Sequence, residues 1–222
     1  MEIVQFVDKV VNWVYYCTLL AAVLYAAIRF RKLDKGGKCI CAFIWLGFLF
    51  ESIGWVAASK FQNNHQVYAI GNILELALLS LYFNNAIRKL QENNIGIIIA
   101  IVGAILGVIN MAFFQPINTL NSNFVFLECV VVVCLCLFLI FKMLITDEEI
   151  ELKKEFHFWI ACTLLFHQCT SLGNWGLLGY ITEFLPEKIV FWDIIIVLVY
   201  TITYFSLIIL FYYYPKLKKT NV

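Results

Sequence analysis

The 222-residue sequence contains little charge and little proline. Only 14% of its residues are charged and three are proline, whereas a soluble domain averages about 25% charged residues. A water-soluble globule of this size needs more charge on its surface. The low charge therefore excludes an ordinary soluble domain, and the twenty Phe, eleven Tyr and six Trp exclude a disordered chain.

In place of charge, the sequence has apolar runs of about 20 residues, the length that crosses a bilayer as a helix. The runs do not alternate between apolar and polar residues as the strands of a membrane barrel do. We predict an all-α membrane protein in which residues 1–222 form a single seven-helix transmembrane domain. The predicted spans cover residues 10–30, 39–59, 67–87, 95–113, 123–143, 156–178 and 189–213. Because the chain starts with acidic rather than basic residues, we expect the first span to be retained and not cleaved as a signal peptide.

The basic residues are distributed unevenly between the two sides of the predicted bundle. Three of the sixteen lie on one side, at Lys9, Lys60 and Lys188, and the other thirteen lie on the opposite side. Since Lys and Arg collect on the cytoplasmic side, we predict an N-terminus outside and a C-terminus in the cytoplasm. The expected location is the cell membrane, which the chain crosses several times.

The eight cysteines do not form a recognisable metal site. Six lie inside predicted spans, where Cys behaves as a small hydrophobe, and Cys39 and Cys41 lack the second ligand pair that zinc requires. We therefore expect no metal and no cofactor. The net charge of +1 gives no support to nucleic-acid binding. Expected partners are the lipid bilayer and a small polar or cationic ligand, with a second copy of the chain or another membrane protein left open.

Several ionisable side chains lie where lipid makes them costly. Glu51 and Glu75 fall near the middle of the second and third spans, and His167 near the centre of the sixth. Glu128 lies in the outer third of the fifth span. A charge at mid-membrane costs about 2.5–3.5 kcal/mol on insertion scales, so these side chains should face the interior of the bundle.

The depths of the polar residues predict a cavity that opens toward the outside. Glu51, Glu75 and His167 would form its floor, and its outer wall would contain Asn72, Glu128, Thr170 and Asn174. The predicted role of these seven residues is to bind a ligand or a proton. The alternative for each of them is a structural hydrogen bond between helices.

No Lys or Arg lies deep in any predicted span. Three states therefore remain open for the buried acids: they are protonated, they share a proton with His167, or they meet a cation or amine from outside. A further pattern, in the fourth span, is a stripe of small residues that is suited to close contact between helices, at Gly96, Ala100, Gly103 and Gly107.

Two segments of the sequence suggest an internal repeat. Residues 51–55 (ESIGW) resemble residues 170–175 (TSLGNW), and residues 81–83 (LYF) resemble residues 203–205 (TYF) at a similar offset. Two parallel three-helix units joined by the fourth helix, a 3+1+3 arrangement, would produce this pattern.

The motifs of other seven-helix proteins and of membrane enzymes are missing. A retinal protein needs a lysine inside the last helix, but Lys188 precedes that helix. The third helix ends without Asp-Arg-Tyr and the seventh lacks Asn-Pro-x-x-Tyr, so a G-protein-coupled receptor has only the helix count in its favour. His157 and His167 are about 15 Å apart along one helix, too far to share a metal. The enzyme question stays open, and the sequence favours a protein that is not an enzyme.

A family resemblance involves the third predicted helix. Residues 67–70 (VYAI), leading through Glu75 to residues 81–83 (LYF), resemble a helix of small uncharacterised seven-helix membrane proteins of the Bacteroidota. Residues 51–53 (ESI) and 158–160 (FWI) also resemble segments of that group. The resemblance implies a seven-helix bundle and carries over no functional residue.

The midplane acids without basic partners lead to the main functional hypothesis. It is a permease or channel-like transporter with an outward-facing polar cavity for protons, cations or a small polar solute. The alternative is a ligand-sensing or assembly subunit that acts through a partner protein.

Overall fold

The computed structural model describes residues 2–145, 151–185 and 188–217. Within these ranges the chain forms helices and no β-strand, so the predicted all-α class is confirmed. The helices are α1 (Glu2–Arg29), α2 (Lys35–Phe61), α3 (His65–Ala86), α4 (Arg88–Glu92), α5 (Ile95–Ile109), α6 (Ser122–Ile145), α7 (Phe156–Phe184) and α8 (Ile189–Tyr213). A π-helical turn, Asn110–Phe114, extends α5.

Six of the helices form a closed ring. Along the ring the order is α1, α2, α3, α6, α7 and α8, and α8 packs back against α1. Within each half of the ring, α1–α3 and α6–α8, neighbouring helices run antiparallel, because short segments connect them; the pairs α3/α6 and α8/α1, which join the two halves, run parallel. The ring therefore has two ends, at which all of the connecting segments lie.

The two ends of the ring differ in charge. We call one the basic end, because Arg29, Lys35, Arg88 and Lys154 lie at or near it; it carries residues 30–34, 87–94, 151–155 and 214–217. We call the other the cavity end; it carries residues 62–64 and 115–121 and the start of α1. The basic half of the ring is filled by fully buried apolar side chains, among them Leu19, Ile44, Leu79, Leu164 and Leu207.

Helix α5 lies outside the ring and packs on α3. An added Cβ at Gly96 would lie 2.4 Å from Asn84 Cβ, and one at Gly103 would lie 2.6 Å from a methyl of Leu76. The backbone N–H of Gly96 donates to Asn84 Oδ1 over 3.0 Å. The small-residue stripe thus makes the close helix contact that it predicts, and the other face of α5 exposes Ile98, Ile101 and other apolar side chains.

Six helices among the described residues are long and apolar enough to cross a membrane. They correspond to α1, α2, α3, α5 with its π-helical turn, α6 and α8, and they indicate a membrane-embedded protein. The sequence predicts a seventh span over residues 156–178, where the structure has the 29-residue helix α7. This helix is long enough, but its most apolar stretch is less apolar than those of the six others, because His157, His167, Gln168 and Asn174 interrupt it.

Candidate functional site

A cavity of about 480 Å³ lies inside the ring. All six ring helices contribute lining residues, and Asn64 and Asn121 bring the connecting segments of the cavity end into its wall. At the middle of the bundle it reaches Phe43 on α2 and Tyr204 on α8. The cavity therefore occupies the half of the ring opposite the basic end.

Five of the seven predicted site residues line this cavity. They come from four different helices and are Glu51, Asn72, Glu75, Glu128 and His167. The structure thus brings the three glutamates and the histidine to one place, although they are separated by up to 116 positions in sequence.

Thr170 and Asn174 are not among the residues that line the cavity. The Thr170 hydroxyl donates to the carbonyl of Phe166 in its own helix over 2.8 Å, and Asn174 is buried. In their place α7 presents Ser171 and Trp175. The cavity-facing positions therefore follow His167 at spacings of four and eight residues and not at the predicted three and seven. Residues at all of these spacings lie on one broad helix face, and packing against the neighbouring helices decides which of them reach the cavity.

The cavity is lined by acidic side chains and histidines, without lysine or arginine. Glu51, Glu75, Glu128 and Asp193 line it, and no Lys or Arg is found among its lining residues. The carboxyl of Glu75 is close enough to those of Glu51 and Glu128 to interact with both electrostatically. When ionised, these carboxylates repel one another, so a positive group that enters the cavity is attracted by several of them at once.

The glutamates differ in their hydrogen bonds. The Tyr68 hydroxyl donates to Glu51 Oε2 over 3.1 Å, whereas Oε1 of Glu128 has no hydrogen-bond partner among the described residues. Glu128 is 2% exposed. Ser171, also buried, has an Oγ that lies near the Tyr200 hydroxyl but makes no hydrogen bond of normal geometry. Buried polar atoms are nearly always paired, so these two unpartnered atoms mark the wall between α6 and α7 as incomplete.

His167 is held by α8. Its Nδ1 lies 3.2 Å from Thr203 Oγ1, and the Thr203 hydroxyl donates to the carbonyl of Val199 over 3.0 Å. Since a hydroxyl has one hydrogen, Thr203 must accept from an N–H at His167 Nδ1, and Nε2 is then the acceptor of the neutral ring. No hydrogen bond joins His167 to a glutamate among the described residues.

Aromatic side chains form much of the cavity wall. Most of them are tyrosines, at positions Tyr15, Tyr16, Tyr68, Tyr200 and Tyr204. The ring of Tyr200 lies 5.0 Å from that of His167. The hydroxyl of Tyr204 reaches α2 at Gly47, where an added Cβ would lie only 2.7 Å from it. The chemistry of the site is therefore that of carboxylates surrounded by aromatic faces.

A hydrogen-bond network closes part of the cavity end. Asn110 in the π-helical turn donates to Asn121 Oδ1 over 2.5 Å and to Gln115 Oε1 over 3.2 Å. Gln115 donates in turn to Ser122 Oγ over 2.9 Å. This network joins the end of α5 to the start of α6 and fixes Asn121 in the cavity wall.

A second polar cluster lies at the basic end. It was not predicted from the sequence. The Asp34 carboxylate caps α2 by accepting from the N–H of Gly37 over 2.7 Å, and its Oδ2 lies 2.9 Å from Nε2 of the fully buried His157. The hydroxyls of Tyr82 and Tyr214 contact His157 Nδ1 (3.4 Å) and the Asp34 N–H (2.9 Å). The cluster ties α2, α3, α7 and the end of α8 together, and its sequence signal is an acidic cap before Gly36-Gly37.

Within the described part of the chain, no three His, Cys, Asp or Glu side chains are grouped so that they could hold a metal ion. All eight cysteines are free thiols.

Comparisons with known proteins give no match: no protein-family model, no curated protein and no solved structure corresponds to the chain.

Proposed function

We propose that the chain is a multi-pass protein of the cell membrane with seven spans, an N-terminus outside and a C-terminus in the cytoplasm. The asymmetry of Lys and Arg between the two ends of the ring supports this orientation. Helix α7 is the seventh span in this proposal. It is a member of the ring, packs between α6 and α8, and turns polar residues toward the cavity. A span inside a ring tolerates such residues, since its polar face does not contact lipid.

In this proposal the cavity admits a small polar or cationic solute from outside, and the protein is a permease or channel-like transporter. The observation that carries the proposal is the convergence of Glu51, Glu75, Glu128 and His167 on one cavity in the half of the ring away from the basic end. Membrane-buried ionisable groups that face a common cavity are typical of ion and solute pathways. The filled basic half would then have to rearrange for a solute to pass.

The ring order supports the proposed 3+1+3 repeat. Helices α1–α3 and α6–α8 each form half of the ring, and corresponding helices face each other across the cavity. Both repeated segments contribute a side chain to the cavity wall, Glu51 on α2 and Ser171 on α7. Parallel repeats of this kind place a substrate site at the interface of the two units.

A ligand-sensing or assembly subunit is the second candidate. The closed packing of the basic half favours it, because a ligand could bind in the cavity without passing through. In that case the signal of a bound ligand would have to reach the basic end, where a cytoplasmic partner would bind. The cluster of Asp34, His157, Tyr82 and Tyr214 lies at this end.

The test is a flux assay on the full chain in proteoliposomes, with proton, sodium and small organic solute gradients. We expect flux above that of empty liposomes, and a loss of about tenfold or more in the double variant Glu51→Gln and Glu75→Gln. Glu183→Gln, an exposed position outside the cavity, is the matched control. Flux that is unchanged in the double variant would contradict a role for these acids, and absence of flux with retained ligand binding would favour the sensing subunit.

A further inference from the structure

The geometry points to an organic ammonium ion as the ligand of the cavity: a primary or secondary amine, protonated, with an apolar body. This inference rests on the proposed function, of which it names the ligand class. In it the ammonium N–H groups donate to Glu128 Oε1 and Ser171 Oγ, and the apolar body lies against the tyrosines of α8.

The charge of the ligand follows from the lining of the cavity. Four carboxyl groups from α2, α3, α6 and α8 line it without a single Lys or Arg. An anion would meet repulsion from every side, and a neutral solute would leave the interaction between Glu75 and its two neighbouring glutamates unrelieved. A cation between these carboxyls gains from each of them.

The hydrogen-bonding character of the ligand follows from the unpartnered acceptor atoms in the wall between α6 and α7; the third unpartnered polar atom of the lining, Asn121 Nδ2, is a donor at the cavity end. Glu128 is 2% exposed and its Oε1 has no described partner; Ser171 is 4% exposed and its Oγ makes no hydrogen bond of normal geometry. A carboxyl that is ionised opposite an ammonium ion can only accept, so the partner that completes Glu128 Oε1 is then a donor. An ammonium with N–H groups supplies that donor together with the charge, whereas a quaternary ammonium supplies the charge alone.

The apolar body follows from size and from the aromatic wall. A volume of about 480 Å³ is in the range of small-molecule pockets and far larger than a single ion needs. Tyr200, Tyr204 and Tyr15 present aromatic rings to it, and such rings attract ammonium groups through their faces and apolar groups through their area. A bare metal ion is disfavoured, since no metal-binding group of side chains exists among the described residues.

The experiment measures binding of defined probes to the full chain in lipid nanodiscs by isothermal titration calorimetry at pH 7. The reference probe is 2-phenylethylammonium. Its neutral counterpart is 2-phenylethanol, its anionic counterpart is 3-phenylpropionate, and its quaternary counterpart is 2-phenylethyl-trimethylammonium. We expect the reference probe to bind at least about tenfold more tightly than each of the other three, because each lacks either the charge or the N–H donors.

Variants then place the probe in the cavity. Glu128→Gln keeps the side-chain shape and should weaken binding of 2-phenylethylammonium about tenfold to hundredfold. Ser171→Ala removes one neutral acceptor and should weaken it about fivefold. Glu183→Gln, at the same end of the protein but outside the cavity, should leave affinity unchanged. If Glu128→Gln does not fold, Ser171→Ala and the probe series decide the question.

Failure of this inference is distinguishable from failure of the proposed function. Equal affinity for the alcohol and the ammonium, or an affinity insensitive to Ser171→Ala and Glu128→Gln, would overturn the ammonium inference even if another solute is transported. Selective ammonium binding without flux would uphold the inference and refute transport.

Discussion

Replacing Gly96 by alanine is expected to push α5 away from α3. The new Cβ would lie 2.4 Å from Asn84 Cβ and 2.5 Å from the carbonyl oxygen of Ser80. Both of these atoms belong to the backbone or are bonded directly to it, so neither can rotate aside. Since carbon atoms pack at about 3.5–4.0 Å, the helices must separate by about 1 Å at this point.

The energetic cost follows from two losses and one gain. Overpacking a tight contact costs about 1–3 kcal/mol, and the hydrogen bond from Gly96 N–H to Asn84 contributes about 1 kcal/mol. Replacing glycine by alanine in a helix returns at most about 1 kcal/mol. We therefore expect the free energy of unfolding to fall by about 1–3 kcal/mol.

The assay is reversible unfolding in mixed micelles of dodecylmaltoside and SDS, followed by circular dichroism. Gly173→Ala is the matched control, because a Cβ at Gly173 meets no atom within 4 Å. The same substitution there should leave stability unchanged or raise it by up to about 1 kcal/mol. If Gly96→Ala unfolds within about 0.5 kcal/mol of the unmodified protein, α5 does not pack on α3 as described.

Three further substitutions and one control variant test other contacts in the same unfolding assay. Asn84→Ala should cost about 1–3 kcal/mol because it leaves a buried N–H of α5 unpaired, whereas Asn85→Ala, whose amide mainly bonds its own helix, should cost less than about 1 kcal/mol. His157→Phe keeps a ring at a fully buried site but removes the imidazole that contacts Asp34 Oδ2, so we expect a loss of about 2–4 kcal/mol. Tyr214→Phe removes the acceptor of the Asp34 N–H and should cost about 1 kcal/mol; losses below about 0.3 kcal/mol for both basic-end variants would contradict the cluster at that end.

The helices and the depth of the acids were predictable from the sequence. Apolar runs of about 20 residues locate six helices, and because lipid excludes charge, Glu51 and Glu75 had to face the interior of a bundle. The stripe of small residues on α5 likewise predicted its contact. These features depend on local pattern alone, which a single sequence carries.

The rotation of α7 and the partners of distant residues were not predictable. Thr170 and Ser171 lie on the same broad face, and only packing against α6 and α8 decides which of them reaches the cavity. His157 and Asp34 are separated by 123 positions, and nothing in either local segment names the other. Apart from Tyr68, which lies one helical turn before Asn72, the tyrosines of the wall had no distinct signal in so aromatic a chain.

Helix α5, which lies outside the ring, determines the direction in which the second half of the ring runs. Helix α3 arrives at the basic end, and α5 carries the chain back so that α6 begins at the cavity end, as α1 does. Without α5, the second half of the ring would be inverted. Glu128, about 9 Å from the start of α6, would then lie near the basic end, away from the other acids of the cavity. One long helix between α3 and α6 therefore keeps the acids of the cavity in the same half of the ring. Adding or removing one such helix would divide the cavity into two half-sites that face opposite ends.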